Sequence, residues 1–182
     1  MKSKIQLTML KKQRLAYGGE LQEKHGRKTP RPLSTKNSIH LVLRSKKAVG
    51  KWSFREATNR EKIRNIISKF SRQYSISVIG GANVGNHLHF HMKLSKIAAY
   101  KPFIRAITAA IRMAVTRRNK WTAKDTSADK FWDYRPFTRV ILSYRAYLNM
   151  KDYIKINRYE GAGISGKTSV ELVRKTNWLE TG

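Results

Sequence analysis

The sequence has no cysteine, which removes disulfides, cysteine-ligated zinc and thiol nucleophiles together. It is also poor in acids: 11 Asp and Glu stand against 39 Lys and Arg, a formal net charge of +28 at pH 7. A charge of that size is tolerable when a polyanion neutralises it, and nucleic acid is the first candidate. Between Glu61 and Asp125 there is no carboxylate, while thirteen Lys and Arg lie in that span. A surface facing an anion accounts for this block better than a solvated face. Long apolar runs are missing too. No stretch approaches the roughly 18 apolar residues of a membrane span, and the N-terminal MKSKIQLTMLKKQR lacks the apolar run of a signal peptide. The expectation is a soluble, cytoplasmic protein with no membrane contact. What is present argues against disorder, because 40% hydrophobic and 10% aromatic residues can form a core. A chain of 182 residues makes one compact domain with tails.

Residues 1–36 carry ten Lys and Arg against Glu20 and Glu23, with turn formers at Gly18-Gly19, Pro30 and Pro32. They read as a basic N-terminal arm without a core of its own. Ser38–Arg44 alternates apolar and polar residues, a half-buried strand. Thr58-Asn59-Arg60-Glu61 fits a capping box, and Ile63, Ile66, Ile67 and Phe70 follow at helical spacing, predicting a helix over 58–72. Residues 74–84 read as a strand with a bulge at Gly80-Gly81. The Gly85-Asn86 turn then leads into a partner strand over 87–94. A second helix is expected over 97–118, a fourth strand over 137–142 and a last helix over 144–157. The order β-α-β-β-α-β predicts an α+β, ferredoxin-like antiparallel sheet with two helices on one face.

The third of these strands is HLHFHMKL. Leu88, Phe90, Met92 and Leu94 point to one face, under the two helices, and His87, His89 and His91 point to the other. The last helix is what remains to cover them. Alternate residues on a strand lie about 6–7 Å apart, so two neighbouring imidazoles can chelate a metal. On the last helix Tyr153 and Asn157 are i and i+4 and share a face. A phenol of pKa near 10 is a poor nucleophile unaided. A divalent ion polarising a phosphate oxygen would help it. On an ideal helix Tyr147 lies about 120° and Tyr144 about 180° from Tyr153, so both are expected to point away from the histidines.

His87-Leu88-His89 within VGNHLHF resembles the His-hydrophobic-His signature of HUH nucleases. Together with FWDYRPFTRV (131–140) and DYIKIN (152–157), the chain resembles the REP-associated tyrosine transposases over roughly residues 18–157. The resemblance implies an HUH transposase domain over 37–160, carrying the tyrosine helix on its histidine face. It implies His87 and His89 as metal ligands, Asn157 as a third, polar ligand and Tyr153 as nucleophile. The implied cofactor is Mg²⁺ or Mn²⁺, with water and DNA phosphate completing its shell because such ions prefer oxygen. The implied activity is cleavage and rejoining of single-stranded DNA near hairpins through a 5′-phosphotyrosine, without ATP, by a monomer or homodimer. Arg27, Lys28, Arg31, Arg117 and Arg118 are candidate phosphate contacts. The alternative is a non-catalytic basic module that binds RNA or DNA.

Residues 161–168, GAGISGKT, match the P-loop pattern. That motif works between a strand and a helix, whereas here it follows a helix. Residues 161–182 are therefore expected to be a C-terminal tail with a short helix over 170–174.

Overall fold

The computed structural model describes residues 15–19, 30–117 and 130–181. In chain order the elements are β1 (Ala16–Tyr17), β2 (Ile39–Arg44), α1 (Ala57–Gln73), β3 (Ile76–Asn83), β4 (His87–Leu94), α2 (Ile97–Thr116), β5 (Phe137–Val140), α3 (Tyr144–Gly161) and α4 (Gly166–Thr181). The strands form one antiparallel sheet in the order β1-β5-β2-β4-β3. This is the α+β architecture expected, with one strand more than the sequence suggested.

The extra strand comes from the arm. Ala16 pairs with Arg139 and Tyr17 with Thr138, and Gly19 N–H donates to the Arg135 carbonyl. Two residues carry no readable alternation, so this strand is made by its partner rather than by its own pattern. The arm therefore docks on the sheet edge in this short piece, while residues 1–14 and 20–29 lie outside the described residues. Residues 30–36 also reach the fold, with Leu33 packed against the core.

One face of the sheet buries Ile39, Leu41, Leu43, Leu88, Met92 and Leu94 under α1 and α2. Helix α1 contributes Ile63 and Ile67, and α2 contributes Phe103, Ile107 and Ile111. Ile107 and Ile111 are fully buried, each contributing about 1.5–3 kcal/mol of apolar transfer. The expected capping box does not form. Helix α1 starts at Ala57 with no side-chain cap from Glu56. Instead Asn59 Nδ2 donates to the carbonyls of Lys51 (3.0 Å) and Ser53 (2.9 Å), fastening the first turn to the loop before it. The bulge in β3 is present: Val78 pairs with Met92 and Gly80 with His91, leaving Ile79 unpaired.

The opposite face carries the histidines and is covered by α3. Ser143 Oγ caps that helix by accepting from Ala146 N–H at 3.2 Å. At its far end Gly161 meets the Asn83 carbonyl so closely that a Cβ would collide with it. Backbone lies on backbone there, which fixes the height of the helix above β3. Helix α4 packs on α3 and buries Ser169 and Val173. It is far longer than the short segment expected over 170–174. The P-loop pattern thus joins two helices, and Ser165 Oγ accepts from Thr168 N–H (3.3 Å) as an ordinary cap. Among the described residues, no helix is long and apolar enough to cross a membrane.

Candidate active site

Strand alternation delivers His87, His89 and His91 to the face under α3, as their spacing requires. The rings of His87 and His89 meet edge to face with centroids 4.8 Å apart. Tyr153 descends from α3 with its ring 5.5 Å from that of His89. A tyrosine and a histidine pair separated by about 65 residues of sequence thus share one small volume. Tyr153 is 41% exposed, so it remains partly open to solvent.

A fourth group belongs to this cluster and was not singled out from the sequence. His40, on β2, stacks on His89 with planes 9° apart, and its ring lies 5.5 Å from that of Tyr153. Its Nε2 is 3.1 Å from His89 Nδ1. The signal was present: Ile39, Leu41 and Leu43 take the core face of β2, which puts residue 40 on the histidine face of the adjacent strand.

Burial governs the charge of these rings. It lowers the His89 pKa to about 3, with His40 and His87 adding repulsion, and the His40 pKa to about 4, with His91 and Arg139 adding to the effect. His87 is also held below its usual value by burial and by Arg44, against an opposing pull from Glu160. The imidazoles are therefore neutral at pH 7, the form that binds a cation. His89 Nε2 is buried with no hydrogen-bond partner among the described residues. For that atom to offer a lone pair, the proton of His89 must sit on Nδ1 and donate to His40 Nε2. His40 would then fix the tautomer of its neighbour. His87 Nδ1 lies 2.6 Å from Asn86 Oδ1, which orients the second ring.

Asn157 is buried under the helix, and its Nδ2 donates to the Tyr153 carbonyl at 2.8 Å. The amide nitrogen is used within α3, leaving the oxygen as the donor atom for a ligand. Among the described residues no group of three His, Asp or Glu side chains is placed to hold a metal alone. Two neutral imidazoles, one with an unclaimed nitrogen, fit a divalent ion in part, and the Asn157 amide oxygen lies on the helix one turn beyond Tyr153. Water and a substrate phosphate would have to supply the rest.

His91 stands apart from this cluster. It is fully buried, its Nε2 lies 2.7 Å from Ser38 Oγ, and its ring is 4.9 Å from that of Tyr147. Tyr147 therefore does not turn away from the histidine face as ideal helix geometry suggests. The helix lies along the row, so residues on two flanks reach different histidines. Tyr144 is 76% exposed and stacks on Tyr147.

Of the expected phosphate contacts, Arg117 is exposed at the end of α2, with φ 55° closing the helix. Arg31 is already held by the fold. Its guanidinium donates to the Pro136 carbonyl (2.7 Å) and Thr138 Oγ1 (2.6 Å) and lies over the rings of Tyr17 and Tyr100. Arg27, Lys28 and Arg118 lie outside the described residues. Beside Tyr153 a cavity of about 620 Å³ opens between β5 and α3, lined in part by His40, Phe137, Arg139, Asn149 and Met150.

The shifted histidines carry a consequence for stability. Both His40 and His89 bind protons more weakly in the native state than in the unfolded chain. Stability is thus complete above the unfolded value near 6.5 and is lost as pH falls toward 4. Each contributes a slope of about 1.4 kcal/mol per pH unit. Thermal melts at about pH 7.5 and about pH 5 are expected to differ by about 10 °C. Equal midpoints would mean that these imidazoles are not held neutral.

No family model matches the chain, and no curated protein matches it in sequence. Solved structures do. A REP-associated tyrosine transposase bound to a REP hairpin is similar with a TM-score of 0.55 at 15% identity, over 74% of this chain and 74% of that one. A candidate transposase from Deinococcus radiodurans is matched over 73% of this chain and 95% of its own, at 14% identity, and its TM-score of 0.38 adds no weight. In fold, this chain is similar to a REP-associated tyrosine transposase.

Proposed function

We propose that the protein is a metal-dependent, single-tyrosine DNA transposase. In this reading it cleaves and rejoins single-stranded DNA near hairpins. One observation carries the reading: the Tyr153 ring lies 5.5 Å from His89, whose buried Nε2 is unclaimed and whose ring touches that of His87. A packed aromatic would satisfy the helix without two neutral imidazoles against its ring.

The roles follow from the chemistry of each group. Tyr153 Oη attacks the scissile phosphorus, forming a tyrosyl–phosphate ester to the 5′ side. The 3′ oxygen leaves and takes a proton to become a hydroxyl, and the phenol proton passes to water. The reverse attack by a 3′-hydroxyl rejoins the strand, so no ATP is consumed. His87, His89 and the Asn157 oxygen would hold Mg²⁺ or Mn²⁺, which supplies a Lewis acid to a phosphate oxygen. His40 keeps His89 in the tautomer that ligates. Neutral histidines add no charge to compete for the phosphate, and Arg139 lines the cavity where the strand would lie. Arg117 and, beyond the described residues, Arg27, Lys28 and Arg118 would contact phosphates, with Arg31 held mainly to its protein partners.

Incubation with labelled single-stranded hairpin DNA and Mn²⁺ is expected to yield a protein–DNA adduct that survives denaturant. Its absence, with the hairpin bound and the metal present, would rule out the tyrosyl ester and leave a binding module.

A further inference from the structure

On the far side of β3 lies a second feature that the catalytic reading does not use. Among the described residues, strand β3 is one of the two edges of the sheet. Between it and α1 runs a groove of about 630 Å³, inside the range of roughly 300–1,000 Å³ typical of ligand sites. Its rim carries Arg60, Arg64 and Arg72 from α1 and Arg158 from α3, and among the described residues no acidic side chain lines it. The floor is apolar, with Ile67 and Val78.

The α1 residues follow from helical spacing, which sets Arg60 and Arg64 on the flank of the stripe that buries Ile63 and Ile67. Arg60, Arg64 and Arg72 are exposed, and no ion pair holds them among the described residues. Self-repulsion of this kind costs stability unless an anion joins the three. Ser71 lines the same groove, is 8% exposed and has a hydroxyl without a hydrogen-bond partner among the described residues. Arg158 ties the groove to the tyrosine helix: it follows Asn157 in sequence, and its Nε donates to the Gly81 carbonyl at 2.6 Å.

We propose that this groove binds a segment of single-stranded DNA separate from the one at Tyr153, with phosphates on the arginines and a base against the apolar floor. Arginine forks match phosphate geometry. An apolar floor under a basic rim suits an unpaired base, whose flat face is free, and not a duplex, whose bases are stacked inside. The groove wraps the sheet edge to reach α3, so a strand lying in it continues toward the tyrosine. The inference concerns binding and stands whether or not Tyr153 cuts DNA.

Fluorescence anisotropy on the full chain tests it, using oligothymidine of about 12 nucleotides. R64Q/R72Q is compared with K62Q/K69Q, which removes the same charge from the same helix outside the groove. Glutamine preserves helix propensity, and circular dichroism checks the fold of both. R64Q/R72Q is expected to weaken binding about tenfold and to reduce the log–log salt slope by about 1.4, for two lost phosphate contacts. K62Q/K69Q is expected to do much less. An abasic strand of equal length is expected to bind the native protein more weakly than oligothymidine, with the difference shrinking in R64Q/R72Q. Equal losses in the two variants would reduce the groove to bulk charge and overturn the proposal. Self-association lost in R64Q/R72Q with unchanged DNA affinity would assign the groove to a second copy of the chain and also overturn it. Failure of the adduct assay with these binding results intact would sink the catalytic reading alone.

Discussion

Tyr153→Phe is expected to abolish both strand cleavage and the covalent adduct while leaving hairpin affinity within about twofold, because positioning and affinity come from phosphate contacts elsewhere. The change removes one oxygen from a ring that keeps its edge-to-face contacts with His40 and His89. Fold and melting temperature should therefore survive. Seven other tyrosines compete for the assignment. Tyr147 is the closest rival, since it too faces the histidine row, but its partner is His91, away from the His87–His89 pair. Peptide mass spectrometry of a trapped, digested adduct decides between them. A nucleotide mass on the peptide holding Tyr147, and none on that holding Tyr153, would displace the assignment.

The second large effect is expected at the histidine pair. His87→Ala and His89→Ala should each lower cleavage about a thousandfold, roughly the 4 kcal/mol that loss of Lewis-acid charge stabilisation represents. Hairpin binding should stay within a few-fold. His87 is the cleaner probe because it is only half-buried. His89 is 4% exposed and stacked on His40, so its variant needs a parallel melt. His91→Ala separates the roles. Its ring fills space beneath Tyr147 and bonds to Ser38, so stability should fall by about 1–3 kcal/mol with much smaller loss of cleavage. Equal cleavage losses at all three positions would mean that the row acts as one packing unit and that His87 and His89 are not ligands.

Much of this was legible in the chain because two periods dominate it. The alternation in HLHFHMKL separated Leu88, Phe90, Met92 and Leu94 from the histidines, and the structure buries the apolar set under α1 and α2. The i, i+4 spacing of Tyr153 and Asn157 placed both on the sheet side of α3, although Asn157 spends its nitrogen on the Tyr153 carbonyl. What could not be read depends on contacts between distant segments. β1 is two residues long and exists through its pairing with β5. Arg31 looked like any arm cation until Tyr17, Tyr100 and Pro136 converged on it. His40 was readable from its position among Ile39, Leu41 and Leu43, but its importance depends on β2 and β4 being neighbours. Tyr147 escaped the ideal-helix estimate because a helix lying along a strand presents more than one flank to it.

The way α3 is held has a dynamic consequence. Its buried residues are Ile154, Asn157 and Gly161, against Tyr100, Phe103, Ile107, Ile111 and Val115 on α2. Local opening free energies follow buried apolar contact, so α3, with the α4 that packs on it, is expected to open below the global unfolding free energy. Amide protons along α3 should exchange with solvent sooner than those of α2. Tyr153 thus rides on a helix whose one large buried apolar side chain is Ile154, while His40 and the histidine row sit on β2 and β4 in the interior of the sheet. An opening confined to α3 and α4 would part Tyr153 from the histidines and leave the core under α1 and α2 in place.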